Sequence, residues 1–216
     1  MKTLIAIDGP AASGKSSVAQ ALARRLGFAY VNSGAFYRLV TWWILQRGVD
    51  PVSAEAVSLA LQETRLESRF ENDEAILRID GGLADNHLRD DTVNRSVSPV
   101  SRVQAVRDAV VAQLHTLATE RDVVMEGRDI GSVVFPDTPF KFYIDASPDV
   151  RKQRRLAQGQ HDEIALRDRI DSSRPNAPLT IAEDALVIDS THLTVDGVVG
   201  EVIGRLKLGG LTVPMQ

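Results

Sequence analysis

Residues 9–17 read Gly9-Pro10-Ala11-Ala12-Ser13-Gly14-Lys15-Ser16-Ser17, and they follow directly on the apolar run Leu4-Ile5-Ala6-Ile7. Gly9, Gly14, Lys15 and Ser16 fit the spacing G-x-x-x-x-G-K-[ST] of a phosphate-binding loop. Two glycines let the backbone turn tightly and come close to a polyphosphate. Successive backbone N–H groups then form an anion-binding concavity that opens onto a helix N-terminus. Lys15 can place its ammonium between the terminal phosphates, and the Ser16 hydroxyl can ligate Mg²⁺. With average glycine usage, these four positions match by accident in roughly one chain in a hundred of this length. The motif also needs a strand before it and a helix after it, and both patterns are present.

Working outward, strand-like and helix-like segments alternate. Thr3 to Asp8 suits a strand buried on both faces. Lys15 to Leu26 carries Val18, Ala21, Leu22 and Leu26 at helical spacing, with Gly27 as a stop. A short strand is expected at Phe28 to Val31 and a helix at Gly34 to Arg47. Leu66 to Phe70 and Ala75 to Asp80 read as two strands around Asn72-Asp73. A long helix follows, with Val103, Val106, Val110, Leu114 and Leu117 on one face. Strands are expected at 122–125, 140–144 and 185–188, and a last helix at 194–208. The alternation predicts an α/β fold with a doubly wound, parallel, five-stranded sheet and its site at the strands' C-terminal ends. The whole of 1–216 reads as one domain. An inserted piece at about 64–91 and a polar, lid-like segment at about 151–178 interrupt it.

Composition narrows the classes. The chain has 216 residues, is 44% hydrophobic and carries a net charge of −4, so one well-buried core is within reach and a general nucleic-acid binder is disfavoured. It contains no cysteine, which excludes disulfides, thiolate metal sites and a catalytic thiol. No apolar run approaches a membrane span, and Met1-Lys2-Thr3 enters a strand pattern rather than a signal-peptide core. A soluble cytoplasmic protein, monomeric and with no nucleic-acid or membrane partner, is the expectation. His87, His115, His161 and His192 show no ligand spacing, and Trp42 and Trp43 read as packing residues.

Three further clusters surround the loop in the sequence. They are Asn32-Ser33-Gly34-Ala35-Phe36-Tyr37-Arg38, Glu126-Gly127-Arg128-Asp129, and Arg167, Asp171 and Arg174, spaced by four and three. So many cationic groups beside a phosphate loop in an acidic chain call for an anionic ligand. Together with Gly131, the run Val133 to Asp137 and the closing run Ala185 to Thr191, they resemble the bacterial cytidylate kinase family. That family lies among the nucleoside monophosphate kinases with a phosphate-binding loop. The resemblance covers nearly the whole chain.

The resemblance implies MgATP-dependent phosphorylation of CMP or dCMP, with ATP and Mg²⁺ required. Gly9 to Ser17 would hold the ATP phosphates. Ser33, Arg38 and Arg128 match positions that grip the CMP phosphate, and Tyr37 the one beside the pyrimidine. Ser98, Arg107 and Arg174 match those that read the cytosine edge, Asp129 and Asp171 those near the sugar, and Arg167 joins the same substrate-binding set. Lys15 and Arg128, with the lid arginines Arg151, Arg154 and Arg155, would supply positive charge during transfer. Ser16 and Glu126 would hold the metal. Two departures stand out, Asn32 where the family has Asp and Glu126 where many members have Asp.

The chemistry of cytosine agrees with this set. Arginine and serine suit its two acceptors, whereas the ring N–H of uracil would leave an arginine unmatched. Two competing readings differ in kind. One is a kinase of the same fold acting on UMP, AMP or a metabolite such as shikimate. The other is a nucleotide-dependent switch, although the chain lacks the N/T-K-x-D motif that reads guanine.

Overall fold

The computed structural model describes residues 2–83, 87–157, 159, 164–173 and 177–212. In chain order the elements are β1 (Leu4–Asp8), α1 (Lys15–Leu26), β2 (Ala29–Asn32), α2 (Ser33–Gln46), α3 (Ala54–Gln62), β3 (Leu66–Glu71), β4 (Glu74–Ile79), α4 (Asp91–Val100), α5 (Gln104–Glu120), β5 (Val123–Glu126), β6 (Phe140–Asp145), α6 (Pro148–Ala157), α7 (Ile164–Ser172), β7 (Leu186–Asp189) and α8 (Val195–Leu208). A π-helical turn at Ile130–Val134 lies between β5 and β6. Backbone contacts divide the chain into two compact units, residues 1–31 with 121–216, and residues 32–120.

The first unit carries the sheet predicted from the alternation. Its strands follow the order β2-β5-β1-β6-β7. The β1–β5, β1–β6 and β6–β7 pairings are parallel. β1 is buried along its whole length, which explains its unbroken apolar run. Ile5, Ile7, Leu22, Phe142, Val202 and Leu206 meet in one core, where α1 and α8 cover the strands. α1 starts at Gly14 and stops at Gly27, both with positive φ. α8 forms despite three internal glycines because Val198, Val199, Val202 and Leu206 bury its inner face, and Thr194 caps its first turn through the Gly197 N–H.

The second unit carries α2, α3, α4 and α5 with one hairpin. Seven strands thus take part in sheet hydrogen bonding, against the five counted for the parallel sheet. The additional two, β3 and β4, pair antiparallel from Leu66↔Ile79 to Glu71↔Glu74. Asn72 and Asp73 both take positive φ between them, as a two-residue hairpin turn of the favoured twist requires. Asn32 Oδ1 accepts the Ala35 N–H at 3.0 Å and caps α2. The side chain that stands in place of the family's Asp therefore begins a helix. α3 and α4 were not separated by periodicity, and neither was α6 in the first unit. Among the described residues, no helix is long and apolar enough to cross a membrane.

Candidate active site

The turn between β1 and α1 is built as the motif demands. A Cβ on Gly9 would lie 2.1 Å from the Ile144 carbonyl oxygen, so only glycine lets the chain pass β6 there. The Lys15 side chain folds back, and its Nζ donates to the Pro10 carbonyl at 3.0 Å. Ser13 Oγ is buried and makes no hydrogen bond among the described residues. A buried hydroxyl without a partner is costly unless a ligand oxygen completes it.

Arg154 reaches this loop from α6. Its Nη1 donates to the Ser13 carbonyl at 3.1 Å and to Ser190 Oγ at 3.0 Å, and its Nη2 donates to the Ser190 carbonyl at 2.8 Å. Ser190 Oγ in turn donates to the Ser13 carbonyl at 2.8 Å. The loop opens on a cleft of about 500 Å³ that runs from Lys15 and Ser16 past Arg154 to Leu193, Val195 and Val198. One end is lined by amides and an ammonium, the other by aliphatic side chains. That polarity suits a polyphosphate attached to a flat apolar base. Glycine cradle, buried orphan hydroxyl and ammonium together fit the phosphates of ATP.

Beyond β5 lie the second set of predicted residues. Glu126 is buried and accepts the Tyr30 hydroxyl at 2.8 Å. Asp129 and Asp171 are buried as well. Arg128 Nε donates to Asp171 Oδ2 at 3.2 Å, so β5 and α7 present one charge pair. Asp8, at the end of β1, accepts the N–H groups of Ile130 at 2.8 Å and Gly131 at 2.7 Å. Its carboxyl is pushed up to about 6, chiefly by burial; the two amide hydrogen bonds oppose the rise, and Asp129 adds to it. Among the described residues, no group of three or more His, Cys, Asp or Glu could hold a metal ion. Mg²⁺ sites that lean on substrate phosphates need only one or two protein oxygens, and exposed Ser16 can supply one.

The second unit gathers Ser33, Tyr37 and Arg38 on α2, Ser98 on α4 and Arg107 on α5. Ser33, Tyr37, Ser98 and Arg107 are buried. The Arg107 guanidinium lies 5.9 Å from the Tyr37 ring centroid. Arg38 Nη1 donates to the Leu88 carbonyl and to Asn94 Oδ1, each at 2.7 Å. Buried arginine, serines and a tyrosine on three helices form a polar interior that a purely structural core would avoid. Trp43 is buried under Arg47, whose guanidinium is 4.1 Å above its ring, and Trp42 stacks on His87.

Arg155 lies half-buried on α6. Arg167 belongs to α7, and Arg174 falls outside the described residues. Arg151 is engaged with protein oxygens: Nε with the Ala146 carbonyl at 3.2 Å, and Nη1 with the Ala11 carbonyl at 3.2 Å and the Asp168 carboxylate. Sequence reading passed over Asp8, Asn94, Asp168, Ser190, Leu193 and Val195. Asp8 alone carried a signal, a carboxylate directly before the loop at the end of an apolar strand.

The family model for cytidylate kinase matches residues 5–208. The chain is 40% identical over 217 residues to the cytidylate kinase of Rhodococcus opacus, covering 95% of this chain and 93% of that protein. It is 40% identical over 218 residues to that of Pelotomaculum thermopropionicum, with 95% and 96% covered. It is also 40% identical over 221 residues to the bifunctional pantoate ligase/cytidylate kinase of a Synechococcus species, where it spans 95% of itself and 45% of the longer protein. On a match that takes in the phosphate loop, the sheet and both buried polar clusters, the chain belongs to the cytidylate kinase family.

Proposed function

We propose that this protein transfers the γ-phosphoryl group of MgATP to CMP or dCMP, giving ADP with CDP or dCDP. A phosphate oxygen of the acceptor forms the new P–O bond, and the bond from the γ-phosphorus to the β–γ bridging oxygen breaks. The acceptor oxygen is already anionic near neutral pH, so no proton has to be removed and no general base is required. Catalysis then rests on positioning two anions and neutralising the charge on the group in flight.

Each residue has a part in that scheme. Gly9 to Ser17 hold the donor phosphates through main-chain amides, and Lys15 neutralises them. Arg154 supplies lid charge to the donor phosphates, and the aliphatic wall at Leu193 and Val195 receives the nucleoside end of ATP. Ser33, Arg38 and Arg128 hold the acceptor phosphate, while Tyr37, Ser98, Arg107 and Arg174 face the pyrimidine. Asp129 and Asp171 attend the sugar side, Arg167 belongs to the same substrate-binding set, and Arg155 adds lid charge. Ser16 and Glu126 would hold Mg²⁺, which would supply positive charge to offset that of the donor phosphates. Residues of about 151–178 act as the lid that excludes water, and about 64–91 as an inserted acceptor-side piece.

The observation that carries this reading is the glycine-walled loop with buried Lys15, opening on a cleft that is polar at one end and aliphatic at the other. Replacing Lys15 by Ala tests it. CMP-dependent ADP release should fall on the order of 10³-fold, the scale seen when one cation leaves a phosphoryl-transfer site. A rate within about tenfold of the parent protein would remove the loop from the reaction.

A further inference from the structure

Asp168 sits on α7 and belongs to none of the residue groups that the motifs single out. Its Oδ1 accepts the Ala11 N–H at 3.1 Å, and its Oδ2 accepts from Arg151 Nη1. The same Arg151 nitrogen donates to the Ala11 carbonyl at 3.2 Å, and Arg151 Nε donates to the Ala146 carbonyl at 3.2 Å. One residue of the phosphate loop is thus held at both of its backbone polar groups. Its N–H goes to a carboxylate and its C=O to the guanidinium paired with that carboxylate. Arg151 extends the same contact to the residue that follows β6.

Both side chains are largely enclosed, with 14% of Arg151 and 16% of Asp168 exposed. A carboxylate beside a phosphate loop would repel donor phosphates unless it were neutralised. Arg151 supplies that neutralisation. Ala11 stands directly before Ala12, a non-glycine residue at φ 59°. The backbone conformation of this turn is unusual for an alanine, and holding the N–H and C=O of the preceding residue resists its relaxation.

We propose that Asp168 is a positioning residue for phosphoryl transfer: with Arg151 it pins the Ala11 backbone at its N–H and C=O and so sets the loop that presents the donor phosphates. This rests on the phosphotransfer reading above. Arg151, expected from the sequence to be drawn onto the phosphates, serves here as half of a brace. Misplacement of reacting groups by about 1 Å costs on the order of 10²-fold in rate, so the brace acts on turnover more than on nucleotide affinity.

The test uses the full chain with Asp168→Ala, Asp168→Asn, Arg151→Ala and the Asp168→Ala/Arg151→Ala double variant. Three readouts are taken: CMP-dependent ADP release, the KM for ATP, and amide hydrogen exchange at Ala11. Asp168→Ala should lower kcat by about 30-fold, with KM for ATP within about threefold. Ala11 should exchange at least about tenfold faster. The double variant should be no slower than the worse single one, because both act through one contact. Asp168→Asn keeps an acceptor for the Ala11 N–H and loses the charge, so it should fall between parent and Ala in kcat; it carries the test if the Ala variant does not fold. A kcat within about twofold of the parent in both Asp168 variants, or unchanged Ala11 exchange, overturns the brace. A parent protein without acceptor-dependent turnover sinks the phosphotransfer reading itself, and Ala11 exchange separates that failure from a failure of the brace.

Discussion

Arg38 Nη1 donates to Asn94 Oδ1 at 2.7 Å, while Asn94 Nδ2 donates to the Arg89 carbonyl at 2.9 Å. Both ends of the buried Asn94 amide are used, so its acceptor oxygen has one orientation and the guanidinium follows it. Asn94→Ala should raise the KM for CMP roughly tenfold, the scale of a hydrogen bond to a charged group, and leave the KM for ATP unchanged. Steady-state kinetics in both substrates check this. Equal rises in the two KM values would move Arg38 away from the acceptor.

Gly9 and Gly14 make different demands on the chain. At Gly9 an added methyl would meet the Ile144 carbonyl oxygen at 2.1 Å. At Gly14 the nearest atom is Arg154 Nη1 at 3.5 Å, and only the positive φ of 92° opposes a side chain. Gly9→Ala should cost at least about 3 kcal/mol, as overpacking against fixed backbone does. Gly14→Ala should cost about 1–2 kcal/mol from the left-handed conformation alone. Urea denaturation of the two variants gives the ranking directly; a reversed order would contradict the close approach at Ile144.

Asp8 makes stability depend on pH. Its carboxyl titrates near 6 in the folded protein against a usual value of 3.8, with burial as the main cause. The folded state therefore holds the proton more tightly than the unfolded chain. The favourable contribution is fully present below 3.8 and is lost as pH rises through about 6. The whole change amounts to about 3 kcal/mol. Asp8→Asn removes this titration, so parent and variant stabilities should diverge between pH 4 and 7, with the parent losing ground. Denaturation midpoints across that range test it, and a difference that does not vary with pH would contradict the burial of the charge.

α8 carries glycines that the fold does not use. A Cβ at Gly200 or Gly204 would meet nothing within 4 Å. Each replacement by Ala should stabilise the protein by about 0.5–1 kcal/mol, the difference in helix preference, with turnover unchanged. A fall in melting temperature would show that these positions are covered.

What could be read in the chain depended on how far apart the interacting residues lie. The phosphate loop is contiguous, so spacing alone located Gly9, Lys15 and Ser16. β1, β5 and β6 are short apolar runs, and α1 keeps a helical stripe with a glycine stop. The buried polar sets on α2 and after β5 begin as local motifs, whereas Ser98 on α4 and Arg107 on α5 could be named through the family resemblance alone. Asp168 and Ala11 are 157 residues apart, and Asp8 and Ile130 are 122 apart. No periodicity reports such pairs. α4 carries Pro99 in its last turn and meets α5 after a three-residue turn at 101–103; the stripe from Val103 to Leu117 lies on α5 and that turn, so it did not report α4. Asn32 shows the converse. It stands where the resemblance puts an Asp, and its side-chain oxygen caps the helix that begins one residue later.

The most direct measurement is ADP release from MgATP with CMP, dCMP, UMP and AMP as acceptors under identical conditions. The buried Arg107 and Ser98 predict that CMP and dCMP are phosphorylated at least about 10²-fold faster than UMP or AMP. Equal rates with UMP or AMP, or ATP hydrolysis that no acceptor accelerates, would contradict the account.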